Sequence, residues 1–273
     1  MLLKSIQKIY NSHISKNIIA RIFAFGINFA YQLLLIPFFI SNWGTEKYAD
    51  WVVISSVIGF FILSDFGFNE VISNRFIIEY QKNNSFFCNK LIINNYLLLF
   101  LVTVALFVCF LLISGNQSLL SFFKLRSIDF NEFHKIILVL IIQVVIHQYS
   151  TVLNAIYKAK EKSYIAFLLD DFARLLEIII TVIGVLLHQN FVVLCMLLII
   201  PKLMIWIFKV IDTRKYYHQQ YSLNLIDFSL IKDFIKPSLA FMAYPIGYAL
   251  LNQGFIFLVN NKFSAETLIL FNT

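Results

Sequence analysis

The residues best placed to do chemistry are Asp170, Asp171, Arg174 and Glu177. Arg174 follows Asp170 by four residues and Asp171 by three, and precedes Glu177 by three, so on a helix all four share adjoining parts of one face. Such a group is either an ion cluster that neutralises itself against neighbours or one wall of a charged, water-filled cavity. The second reading is favoured, because one arginine cannot neutralise three carboxylates without further partners. Two more cations, Arg21 and Lys202, lie within apolar stretches, as do the amides Asn28, Gln32, Asn252 and Gln253. Gln143, His147 and Gln148 add polar groups elsewhere. Cys88, Cys109 and Cys195 have no metal-ligand or pairing pattern, and His-Glu-x-x-His is absent. No metal, cofactor or catalytic set is expected.

The elements that must hold these residues follow from composition. The 273-residue chain is 60% hydrophobic and only 14% charged, with a mean hydropathy of +0.79. Soluble domains sit near about 45–50% apolar and about 25% charged. The apolar residues also come in blocks of roughly twenty, the length that crosses a ~30 Å hydrocarbon core. This predicts an all-α polytopic membrane protein and excludes a soluble enzyme, a nucleic-acid binder and a disordered chain. Seven spans are predicted: Asn17–Ile40, Ala49–Phe68, Leu91–Ile113, Ile136–Tyr157, Tyr164–Leu187, Phe191–Phe208 and Pro237–Val259. The uninterrupted apolar run Ile178–Leu187 is too short to cross alone, so Arg174 is carried in, roughly 15 Å from the end of its helix. Arg21 could equally snorkel to headgroups, as could Lys202.

Basic residues set the orientation. With the N-terminus in the cytoplasm, fourteen Lys and Arg fall in inside segments and five in outside ones, a strong positive-inside bias. Lys209 is counted among the inside residues. No cleavable signal peptide is read at the N-terminus, so the first block remains as a helix. Between the sixth and seventh spans, Ile226, Leu230, Ile231 and Phe234 recur at helical spacing among charges, predicting an amphipathic interfacial helix. Pro237 is placed in the first turn of the helix that follows. Three units result: a six-helix bundle over 1–212, a cytoplasmic linker over 213–236, and the start of a second bundle over 237–273. Ser55-x-x-x-Gly59 and Ala243-x-x-x-Gly247 are read as helix-packing spacings.

The second predicted span closes on Leu63-Ser64-Asp65-Phe66-Gly67, with Arg75 eight residues beyond Gly67. Asp65, Gly67 and Arg75, the Gln32 and Pro37 of the first span, the loop Trp43–Tyr48 and the basic turn Ala155–Lys162 together resemble one family. It is the polysaccharide biosynthesis proteins, the lipid-linked oligosaccharide (O-antigen) flippases of the multidrug/oligosaccharidyl-lipid/polysaccharide exporter superfamily. Phe66 stands where that family usually has an aliphatic residue.

The resemblance implies two facing six-helix bundles that alternate access between leaflets, of which this chain would supply the amino-terminal part, as a truncated frame or fragment. It implies flipping of an undecaprenyl-diphosphate-linked oligosaccharide across the bacterial inner membrane for surface polysaccharide. Basic cavity residues, here Arg21, Arg174 and Lys202, would meet the diphosphate, and Asp65 and Arg75 would organise the end of the second helix. Its partners would be the lipid-linked substrate, the bilayer and assembly proteins such as a polysaccharide polymerase, with no nucleic acid. Two other readings stay open. One is a cation-coupled small-molecule exporter using Asp170, Asp171 and Glu177; the other is a membrane enzyme such as a polymerase or acyltransferase, which the short outside loops disfavour.

Overall fold

A computed structural model describes residues 13–114, 123–220 and 222–272, and among them every regular element is a helix. The polar N-tail and part of the outside segment expected around Asn116 lie outside the described residues. The chain runs through α1 (His13–Ala30), α2 (Ile36–Ile62), α3 (Phe68–Gln81), α4 (Ser85–Ser114), α5 (Phe130–Val152) and the short α6 (Asn154–Ala159). Then come α7 (Ser163–Leu186), α8 (Phe191–Leu197), α9 (Ile199–Thr213), α10 (Phe228–Ala249), α11 (Phe255–Lys262) and α12 (Ala265–Asn272). Wide π-helical turns, Tyr31–Leu35 and Leu250–Gly254, join α1 to α2 and α10 to α11 without a break.

Five helical stretches are long and apolar enough to cross a membrane: Ser15–Asp65, Ser85–Leu112, Phe130–Ala159, Phe191–Thr213 and Phe228–Lys262. Two details separate this from the predicted seven. The first stretch, 51 residues long, contains Gly44 at φ 76° and ψ 172°, a non-helical residue that kinks α2. The helix α7, with its four ionisable residues, is not among the five. Outside, Phe25, Leu34, Leu112 and Leu186 lie exposed with many other large apolar side chains, a surface suited to hydrocarbon rather than water.

Two cores hold the helices. The larger joins Trp51, Ile54, Leu140, Phe191 and Leu194 and runs on into Ile256, Leu268 and Ile269. The smaller gathers Phe68, Phe76, Leu91, Leu99, Leu153 and Ile156. Where lipid surrounds the helices, such cores hold by close fit more than by expulsion of water. The longer loops are fixed by polar side chains. Buried Asp50 accepts the backbone N–H groups of Arg126 (3.0 Å) and Ser127 (2.6 Å). Arg126 in turn donates to Asn260 Oδ1 at 2.8 Å, tying α11 to the same loop.

The segment before α10 is pinned to α4. Asn94 donates to the Leu225 carbonyl and accepts the Asp227 N–H, both at 2.8 Å, and Lys90 pairs with Asp227 at 2.6 Å. Asp227 also caps α10 by accepting the N–H groups of Ser229 and Leu230. The hydrogen bond from Lys90 holds its carboxyl well below the usual carboxylate range. That cap corrects the predicted start of the seventh helix. Residues Leu230, Ile231 and Phe234 do form a helix, but one that packs on the smaller core and continues unbroken through Pro237. Pro237 is therefore interior, where its missing N–H leaves one carbonyl without its helical partner.

Candidate functional site

A cavity of about 580 Å³ opens between α2, α5, α7, α9 and the wide turn Leu250–Gly254. Of the sequence-predicted residues it brings together Asp170, Arg174, Glu177, Lys202, Asn252 and Gln253. The arrangement rests on a matched spacing. Asp170 and Glu177 are seven residues apart on α7, and Lys202 and Lys209 are seven apart on α9. Seven residues are about two turns, so each pair shares a face. The helices pack against each other in opposite directions, so the pairs meet as two rungs, Asp170–Lys209 at 2.7 Å and Glu177 with Lys202.

Lys209 is the main correction. The sequence places it in a cytoplasmic segment, yet its side chain is wholly buried, donating to Asp170 Oδ1 and, at 3.0 Å, to Asn154 Oδ1. One of the fourteen inside cations is thus a structural one. Its seven-residue spacing from Lys202 was the available signal. An ammonium so enclosed is tolerable only when paired and hydrogen-bonded, which both partners provide.

Arg174 lies between the rungs. Its guanidinium is 3.5 Å from Glu177 Oε2 and 5.2 Å from the centre of the Tyr31 ring, and its side chain is 48% exposed. Glu177 is already engaged by Lys202, and Asp170 by Lys209, so Arg174 leaves the cavity with a surplus positive charge. Tyr31, which the sequence did not single out, reaches this place from the wide turn after α1. Gln253 enters from the other wide turn. Its side chain lies so close to α2 that a Cβ on Gly59 would come within 2.6 Å of its amide nitrogen. Gly59 is thus a packing glycine, as its spacing suggested, whereas Gly247 has nothing within 4 Å. The Gln253 Oε1 atom is buried without a hydrogen-bond partner.

Four predicted residues, Arg21, Asn28, Gln32 and Asp171, lie elsewhere. Arg21 sits 3.8 Å over the Phe167 ring in an outer groove between α1 and α7, with Asn17, Ile18 and Phe25. From there its charge acts on Asp171, whose Oδ2 is buried without a hydrogen-bond partner. Asn28 and Gln32 are exposed on the outside. The reason is angular. Among the described side chains of α1 the buried ones are Ala20 and Ile27, and Arg21 and Asn28 each come one residue later, about 100° round the helix.

The Asp65, Gly67 and Arg75 group is architectural. Asp65 Oδ1 accepts the Gly67 N–H at 3.1 Å, and Phe66 and Gly67 take left-handed conformations with φ 49° and 75°. This turn ends α2 and starts α3. A Cβ on Gly67 would meet the Ser238 carbonyl at 2.8 Å, so glycine also lets α10 approach. Arg75 pairs with Glu79 at 3.0 Å on the far side of α3.

Compared with protein-family models, curated proteins and solved structures, the chain finds no match.

Proposed function

We propose that the chain moves a diphosphate-linked lipid, an undecaprenyl-diphosphate oligosaccharide, across the bacterial cytoplasmic membrane. The observation that carries this reading is the surplus charge of Arg174 in the cavity, once Lys209 and Lys202 have answered the two carboxylates. A guanidinium beside a hydrated space binds phosphate oxygens in a bidentate fashion. Amides such as Asn252 at the same wall receive hydroxyls. No bond is made or broken, so no catalytic residue is required. On this reading α7 and both halves of the kinked first stretch cross the membrane, giving seven spans with the N-terminus inside.

The test is binding of undecaprenyl diphosphate to the chain in lipid nanodiscs. Arg174→Ala should weaken it at least tenfold and Arg174→Lys by less. Unchanged affinity in Arg174→Ala would refute the reading. For the topology, cysteines introduced at Ser118 and Ser222 should differ, with only the first labelled by an impermeant reagent on intact cells. A second reading, a cation-coupled exporter, is favoured by one observation, the buried and unpartnered Oδ2 of Asp171. It predicts lipophilic-cation transport that stops in Asp171→Asn.

A further inference from the structure

A second cavity, of about 630 Å³, adjoins the first and shares Ile62 and His147 with it. It lies between α3, the α5–α6 junction and α10. Its polarity is of a different kind. Glu70 is answered by Lys158 at 2.9 Å, and no arginine lines the space, so Asp65 leaves it with a surplus negative charge. Phosphate would be repelled there. A metal ion is not suited either, since among the described residues no three His, Cys, Asp or Glu side chains converge. What the cavity does offer is neutral hydrogen-bonding capacity left unused. Ser73 and Gln148 both line it, both are more than nine-tenths buried, and Ser73 Oγ and Gln148 Oε1 have no hydrogen-bond partner. Facing them across the space, α10 supplies Phe241 and Tyr244.

Unused hydroxyl and amide oxygens opposite aromatic faces suit a neutral saccharide, whose hydroxyls donate and whose C–H faces lie against rings. We propose that this second cavity receives the uncharged sugar portion of the substrate while the first holds its phosphates, an assignment that rests on the function proposed above. The two are continuous along α10, where Tyr244 of the second cavity stacks with Tyr248 of the first at 6.3 Å between ring centres. A ligand spanning both would have its charge and its hydroxyls sorted by cavity. Asp65, set in its turn by the Gly67 N–H, would accept a sugar hydroxyl and turn away a second anion.

Saturation-transfer NMR on the chain in nanodiscs tests this, with two neutral disaccharides, maltose and diacetylchitobiose, and farnesyl diphosphate as separate probes. At least one disaccharide should receive saturation. That signal should fall at least fivefold in Gln148→Leu and in Tyr244→Ala and persist in Arg174→Ala, while the diphosphate signal should do the reverse. Tyr244 is 79% exposed, so its variant keeps the fold even where Gln148→Leu does not. Absence of any saccharide signal, or a signal indifferent to Tyr244→Ala, would overturn the proposal. Loss of the diphosphate response alone would overturn the function proposed above and leave the sugar site standing.

Discussion

Helices α1 and α7 lie against each other, and both carry charged and amide side chains within apolar sequence, yet they use them in opposite ways. On α7, Asp170, Arg174 and Glu177 turn inward, and the carboxylates find Lys209 and Lys202 on α9. On α1, Arg21 and Asn28 turn outward, and Arg21 lies over the Phe167 ring with its charge acting on Asp171. Polar residues within an apolar segment therefore do not by themselves mark an interior. What separates the two helices is whether a second helix offers opposite charge at the same spacing.

The largest expected effect comes from opening a rung. Asp170→Ala strands the buried Lys209 ammonium, and the loss of stability should be about 3–5 kcal/mol, read by denaturant unfolding of the solubilised chain. A cost below about 1 kcal/mol would mean the rung is not needed, and the contrast with α1 would weaken. Next comes Lys202→Met. Glu177 then keeps only Arg174 and draws its guanidinium away from the cavity, so affinity for undecaprenyl diphosphate should fall roughly tenfold, or about 1.4 kcal/mol. Higher affinity would show that Arg174 acts independently of the ladder. Arg21→Ala should cost about 0.5–1 kcal/mol of stability, the worth of one exposed cation over a ring, with diphosphate affinity unchanged. An affinity loss matching that of Arg174→Ala would place Arg21 in the same site and erase the distinction. Smallest of all, Asn28→Ala combined with Gln32→Ala should stay within about 0.5 kcal/mol. A larger change would reveal a partner for the outer face of α1.

Much of this contrast was legible in the chain and part was not. Long apolar blocks and the i, i+3 and i+4 spacing located the helices and put Asp170, Arg174 and Glu177 of α7 on one face, since both depend only on local geometry, whereas Asp171, expected beside them, turns toward Arg21 of α1. The sequence also suggested that Arg174 alone could not balance its carboxylates. It did not say where the balance would come from, because Lys209 stands at the end of a span beside Asp212 and Arg214 and reads as part of a polar boundary. Likewise nothing local distinguishes the stripe of Arg21 and Asn28 from an inward one, because a helix wheel fixes angles within a helix but not the direction of its neighbours. Pro237 misled for a related reason: proline favours a first turn, but the cap at Asp227 and the packing of Leu230 and Phe234 had already started the helix.

The wide turn Tyr31–Leu35 bears on how a single span can serve two environments. A π turn holds one residue more than an α turn, so the helix that follows is set back by about 100° in phase. Before it, Ile22, Phe25 and Phe29 stand exposed; after it, Ile36 and Phe39 are buried in the larger core. The turn thus acts as a fixed rotary joint within a continuous rod. Removing one residue from it would leave the rod intact and its hydrogen bonds regular, but would swing everything on one side by about a quarter-turn, carrying Arg21 and Asn28 to new bearings while Ile36 and Phe39 kept theirs.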